Sequence, residues 1–507
     1  MKGFLAKGLL VTLAFASTMS STVCAQGSSG LPPDIPIWNQ DYLYGRAISL
    51  LYSYPLSMDF NGGGARAKGM GNAFLGISDD ITAVSWNPAG LYRQDDAYSQ
   101  PVMALGYQSL SSSATFRDKF SVDVPWRQFD YKDNLGGIDF LSLLWPIRIK
   151  GHMLVGSFAY TRLGDEFYNG GASLDVMMPF SVQDSLEGIR RPFHYHIANN
   201  YRSSANAINI GFGTRVYDKL SVGIAINAHA GRAAQMRTET VSWEGLIIPG
   251  LEGNQRAFAR LVNEVYDTTS FSGVYFTLGF KYATPKLTAG LVIKTPHTLK
   301  ETIDVLSISQ GYINGVETTD VGAVIHNDDN VVELDQPLVI GGGLGYKVLD
   351  QWLVSADVEF RGFGGGKVNV RDSIQLVPGG TAVEFFTEYD PYWNDAWVFR
   401  VGSEYIWSTG FRLFPTVPLR AGFGYIQVPQ PNVDGASLQI VDGVPTWVPE
   451  TSQASMTRFS FGTGVRWAQV HLDLSFEKWS LDRSDILIER EQSVDNSAIN
   501  FTFTGYF

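Results

Sequence analysis

The sequence predicts an all-β protein: a 14-stranded antiparallel transmembrane β-barrel whose N-terminal segment plugs the lumen. Three observations predict it. The composition is that of a β-protein with few charges. The N-terminus reads as an export signal. The remainder resolves into alternating strands joined by short turns on one side and long connections on the other.

Charged residues make up 17% of the 507, below the ~25% of an ordinary soluble domain. Aromatics are 13%, and glycine supplies 53 residues. The 45% hydrophobic content argues against a disordered chain. The net charge of −12 argues against nucleic acid as a partner, which would call for a basic face. Past the N-terminus no apolar run reaches the roughly 18 residues a spanning helix needs, so a membrane-spanning reading requires strands.

Residues 1–25 fit a signal peptide. Lys2 and Lys7 form a basic start, and Gly8 to Ala16 form a short apolar core. Val23-Cys24-Ala25 gives small residues at a cleavage site before Gln26. Cleavage there would remove the single cysteine, leaving neither disulfides nor thiol chemistry, and would take the net charge to −14.

The barrel is assigned to 100–507. Its clearest strand is the last, where Ile499, Phe501, Phe503, Gly505 and Phe507 alternate with Asn500, Thr502, Thr504 and Tyr506. A strand ending on Phe resembles the C-terminal signature of bacterial outer-membrane proteins. Upstream, hairpins turn at Arg148-Ile149-Lys150, Tyr217-Asp218-Lys219, Thr284-Pro285-Lys286, Leu349-Asp350-Gln351, Ser408 to Pro415 and Trp467-Ala468. These six hairpins, a first strand over Val102 to Leu110, and the terminal strand give fourteen. The even number, the short turns and the long loops predicted at 112–135, 163–205, 232–270, 297–336, 363–395, 428–456 and 481–497 place both termini in the periplasm.

Alternation also assigns the faces. A cation on the lipid face costs roughly 2–4 kcal/mol at the bilayer midplane. The charged face must therefore point inward, which makes Arg215, Lys294, Asp357, Glu359, Arg400, Glu404, Arg420, Arg466, Asp473 and Glu477 lumenal. Eight strands fill their own interior and sixteen leave a channel, so a fourteen-stranded wall needs a plug.

The polypeptide before the first strand supplies one. It contains Gly64-Ala65-Arg66-Ala67-Lys68-Gly69-Met70-Gly71-Asn72-Ala73-Phe74, then Ser78-Asp79-Asp80-Ile81, then Asn87-Pro88-Ala89-Gly90-Leu91. This resembles the N-terminal hatch of the FadL/TodX family of outer-membrane transport proteins, and its form is closest to the PorV-like branch of that superfamily. The resemblance implies a hatch at 57–99, after an N-terminal extension at 26–56 in which Tyr42, Tyr44, Tyr52 and Tyr54 crowd together. It makes Gly69, Met70, Phe74, Asp79, Asp80, Asn87, Pro88 and Ala89 the expected hatch or gate residues. Asp79 and Asp80 are expected to pair with lumenal arginines.

The resemblance further implies a bacterial outer-membrane channel for hydrophobic small molecules such as long-chain fatty acids. Cargo would enter a lumenal pocket, pass the hatch, and leave sideways into outer-membrane lipid. The alternative is a PorV-like barrel that docks secreted proteins. No enzyme, cofactor or metal is expected. Gly62-x-Gly64-x-x-Ala67 lacks the strand and βαβ unit of a dinucleotide site. His194 and His196 alone fall short of a closed metal site, and Asp328-Asp329 reads as solvated.

Overall fold

The computed structural model describes residues 62–92, 101–118, 127–150, 152–178, 191–247, 256–374, 383–441, 444–485 and 490–507. The signal peptide and the 26–56 extension lie outside these residues, and the hatch assignment lies partly outside them.

Six wall strands come first: β1 (Val102–Asp118), β2 (Arg127–Ile149), β3 (His152–Met178), β4 (Arg191–Tyr217), β5 (Leu220–Ile247) and β6 (Arg256–Ala283). The next six wall strands are each interrupted once. They are β7 (Leu287–Lys294) with β8 (His297–Ile313), β9 (Val316–Gln336) with β10 (Val339–Leu349), and β11 (Trp352–Arg361) with β12 (Val368–Ile374). They continue as β13 (Val383–Tyr389) with β14 (Ala396–Ser408), β15 (Thr416–Gln427) with β16 (Asn432–Val441), and β17 (Val444–Ser452) with β18 (Ser455–Arg466). Two unbroken strands, β19 (Val470–Asp485) and β20 (Arg490–Tyr506), complete the wall. Antiparallel ladders link neighbours, and β1 pairs with both β2 and β20, so the barrel of fourteen wall strands closes without a free edge in the membrane. Proline marks four of the six breaks, at Pro296, Pro337, Pro391 and Pro429, because it brings no N–H to the ladder.

The alternation is inverted relative to a soluble protein. Asn209 and Asn227 face each other across β4 and β5, each 2% exposed, and Asn209 donates to Asn227 at 2.7 Å. Their neighbours Ile210 and Ile226 are 42% and 44% exposed. Phe276, Leu278 and Phe280 on β6, and Phe459 and Phe461 on β18, are likewise exposed. Apolar outside and polar inside is the arrangement of a wall bathed in hydrocarbon. No helix of the described residues is long and apolar enough to cross a membrane.

All six predicted turns connect wall strands where the sequence placed them. The long connections differ from the expectation. Much of 163–205 and 232–270 is ladder: β3 and β4 pair out to Met178–Arg191, and β5 and β6 out to Ile247–Arg256. A 27-residue strand such as β3 is roughly 90 Å long, whereas about 9–11 residues span a bilayer. Above the membrane the two strand faces need not differ in polarity, so the apolar alternation that identifies a strand fades there.

The ladder between β2 and β3 stops early, as do those between β14 and β15 and between β18 and β19. Pairing between β2 and β3 runs from Ile149–His152 only to Phe140–Thr161. Beyond it β2 stays with β1 as far as Arg127, and β3 stays with β4 as far as Met178. Both strands are irregular where they part. Asp139 is the extra residue of a bulge against β1, and Leu163 the extra residue of one against β4. Bulges re-aim side chains and end pairing at such places. Gly136 and Gly137 border the seam on β2, and Gly164 borders it on β3.

Candidate functional site: the segment inside the barrel

Residues 62–92 lie within the barrel. The path is short irregular turns with helical pieces at Ala65–Gly69 and Ala83–Trp86 and a 3-10 turn at Pro88–Leu91. Met70, Phe74, Leu75, Ile77 and Trp86 form an apolar cluster with Val292 of the wall. Phe74 and Trp86 meet edge to face at 6.0 Å. A second cluster joins Ile81, Val84 and Leu91 to Phe140, Leu144 and Val155 of β2 and β3.

The wall makes room by omitting side chains. A Cβ on Gly422 would stand 2.0 Å from the nitrogen of Gly71, and one on Gly223 would stand 2.3 Å from the carbonyl carbon of Pro88. Gly71 itself has φ +65°, where glycine is the natural occupant. Backbone therefore packs on backbone, and polar wall groups satisfy the segment's amides. Ala65 N donates to Thr502 Oγ1 at 2.8 Å, Gly71 N to Ser460 Oγ at 2.8 Å, and Leu75 N to Asp357 Oδ2 at 2.7 Å. Ser355 Oγ donates to the carbonyl of Ala73 at 2.9 Å. Lys281 Nζ donates to the carbonyls of Ile77 and Ser78.

Asn87 is fully buried and acts as a local brace. Its Nδ2 donates to the carbonyls of Leu75 and of Phe280 on β6, both at 3.1 Å, and its Oδ1 accepts from Ala89 N at 3.1 Å. Pro88 then starts the 3-10 turn at the position where its missing N–H matters least. Asn87 thus ties the middle of the segment, at Leu75, to its C-terminal turn and to β6. Gly69, beside the backbone of Gly462 on β18, is buried as well.

Two cations of the segment carry its ionic contacts. Arg66 reaches Glu404 on β14 through two nitrogens, at 3.1 and 3.0 Å, pairs with Asp79, and reaches Asp80 at 3.3 Å. Its guanidinium also lies 5.3 Å over the Phe74 ring. Glu404 in turn accepts from Arg420 at 2.7 Å and Arg466 at 2.8 Å, and Arg420 reaches Asp473 at 2.7 Å. Lys68 donates to Asp139 Oδ2 on β2 at 2.8 Å and to Asn500 Oδ1 on β20 at 3.0 Å.

Asp79 and Asp80 thus differ from the expectation. Their cation is Arg66 of the segment itself, and the wall answers with a carboxylate, Glu404. A largely buried arginine is best held by more than one anion around its fork, and the two aspartates supply them locally.

The other predicted lumenal groups differ in burial. Asp357, Glu359, Arg400, Glu404, Arg420, Asp473 and Glu477 are all buried. Glu359 holds Arg361 at 2.6 Å and Arg400 at 3.8 Å. Glu477 accepts from Asn500 at 3.0 Å and stands 3.9 Å from Arg458. Arg215, by contrast, is exposed at the rim, with its guanidinium 5.5 Å over the Tyr92 ring. Lys294 lines a small cavity of about 30 Å³ with His229, Tyr275, His297, Gln336 and Arg361, room for about one water. The described residues hold no group of three or more metal-binding side chains.

In the sequence, Arg66 and Lys68 stood within the motif with no role, Asn500 stood on the polar face of the last strand, and nothing marked out Lys281. The signal for Asp139 was present: it is the one acid in the otherwise apolar and small stretch from Leu135 to Leu144.

No protein-family model matches the sequence, and no curated protein matches it. Solved structures do match. A FadL homologue from Pseudomonas aeruginosa superimposes with a TM-score of 0.50 at 14% identity, over 88% of this chain and 98% of that one. The toluene transporter TodX from Pseudomonas putida gives 0.53 at 15% identity, over 88% and 99%. Identities this low carry the fold alone. That fold is the one the motif resemblance implied: a FadL/TodX-type barrel.

Proposed function

We propose that this protein is an outer-membrane channel that takes up hydrophobic small molecules, of the long-chain fatty acid class, past a hatch formed by residues 62–92. The observation that carries the reading is the seating of that segment. It fills the lumen, yet it is held by packing, hydrogen bonds and ion pairs between separate stretches of one chain, contacts that can break and re-form. The shared fold with a toluene transporter supports the same reading.

The route follows from the wall. Phe271, Leu299, Leu334, Phe363 and Trp393 form a buried apolar cluster along the wall, material for a hydrophobic pocket once its packing loosens. Displacement of the hatch frees the lumen below. The seam between β2 and β3 provides the exit, because there the ladder has already parted and glycines border it. Lateral exit into lipid keeps an apolar molecule out of water, worth roughly 25 cal/mol per Å² of its surface. Gly69, Met70, Phe74, Asp79, Asp80, Asn87, Pro88 and Ala89 are the hatch residues of this mechanism.

Mass spectrometry of organic extracts from protein purified out of native outer membranes in mild detergent tests the proposal. Near-stoichiometric apolar molecules, lost when residues 62–92 are deleted, support it. Absence of any enriched small molecule, with secreted proteins co-purifying instead, moves the assignment to a docking barrel.

A further inference from the structure

The β2–β3 seam and the inner segment meet at one ion pair. Asp139 is the bulged residue at the point where β2 leaves β3, and the bulge turns its side chain inward to 1% exposure. Its Oδ2 accepts from Lys68 Nζ at 2.8 Å. Its Oδ1 has no hydrogen-bond partner among the described residues. Lys68 is itself 5% exposed and lies on the helical turn Ala65–Gly69. Its other contact, Asn500, accepts from Gln108 of β1 at 2.9 Å and donates to Glu477 at 3.0 Å, so Lys68 is braced by the strands on the far side of β2.

The apolar contacts converge on the same spot. A Cβ on Gly63 would stand 2.0 Å from the ring of Phe140, the last β2 residue paired to β3. Phe140 is fully buried among Ile81, Val84 and Leu91 of the segment and Val102 and Leu144 of the wall. The segment therefore holds the seam by a charge on Asp139 and by packing on the neighbouring residue.

We propose that Lys68 and Asp139 form a latch that couples the seating of the inner segment to closure of the β2–β3 seam. A buried carboxylate whose single counter-ion leaves is strongly disfavoured where it stands. When the segment moves, Asp139 loses Lys68 and the bulge must rearrange to bring the carboxylate to water or lipid headgroups. The strand that rearranges is the one bordering the parted ladder. Hatch displacement and widening of the exit become one event. The inference rests on the channel reading for its purpose, but the coupling is testable without any cargo.

The test is amide hydrogen exchange of the full-length protein in lipid nanodiscs, followed peptide by peptide. In Lys68→Met, amides of 136–140 and 161–164 should exchange at least about tenfold faster, while those of the β5–β6 ladder around Ile224 and Phe280 keep their wild-type rates. The exchanged pair Lys68→Asp with Asp139→Lys should bring the seam back toward wild-type protection. A uniform rise across the barrel, no rise at the seam, or no recovery in the exchanged pair would overturn the latch. Should Lys68→Met fail to assemble, the exchanged pair alone decides: a folded barrel with a protected seam supports the coupling, and an unprotected seam or a misfolded barrel refutes it. Normal coupling in a protein that carries no hydrophobic cargo would instead sink the channel reading and leave the latch standing.

Discussion

Arg66 and Lys68 sit two residues apart and anchor the same segment in opposite ways. Arg66 enters a crowded network in which Glu404 also holds Arg420 and Arg466, and Asp79 and Asp80 share its fork. Glu404 keeps two other cations when Arg66 leaves, and Arg420 keeps Asp473 when Glu404 leaves. Lys68 enters a pair: Asp139 has no second cation within the described contacts. A network distributes the cost of losing one member, whereas a pair concentrates it on the residue left behind. The first arrangement fixes position, and the second makes a switch.

The largest effect is expected at the pair. Lys68→Met leaves Asp139 buried and unpaired and should cost about 3–5 kcal/mol in urea unfolding from phospholipid vesicles. Adding Asp139→Leu should recover much of that loss, because the charge that needed a partner is gone. Arg66→Met should cost less, about 1–3 kcal/mol by the same unfolding measurement, since Glu404 retains two arginines. Equal losses at the two positions would erase the distinction.

Asn87→Ala should fall in a similar range, about 1–3 kcal/mol, by stripping partners from the carbonyls of Leu75 and Phe280. Its diagnostic is location, because protection in hydrogen exchange should fall at β6 rather than at the β2–β3 seam. The smallest effect is expected at Glu301, which is fully buried with neither oxygen hydrogen-bonded within the described contacts. It lies beside Leu299 and Ile303 on β8, opposite Val332 of β9. Glu301→Leu should be neutral to stabilising in the same urea series, since it removes a buried polar group without orphaning a partner.

The membrane part of the fold was legible because hydrocarbon on one side and polar lumen on the other impose a strict period of two. Ile208, Ile210 and Phe212 against Asn209 and Gly211 carry the information in five residues. The long ladders beyond the apolar band hid because their pairing partner, not an alternating pattern, holds segments such as 163–178 extended. At the site, the segment's identity was readable from its motif, but its electrostatics were not. Whether Asp79 meets a wall arginine or Arg66 depends on how the chain turns back between residues 70 and 79. The bulge that re-aims Asp139 is likewise a property of register, which only the paired strands reveal.

The most direct test of the channel itself is uptake of a labelled long-chain fatty acid by cells carrying the protein in their outer membrane, against cells lacking it. The account predicts saturable uptake that depends on the protein and is competed by other apolar solutes. Equal uptake by both kinds of cell would contradict it.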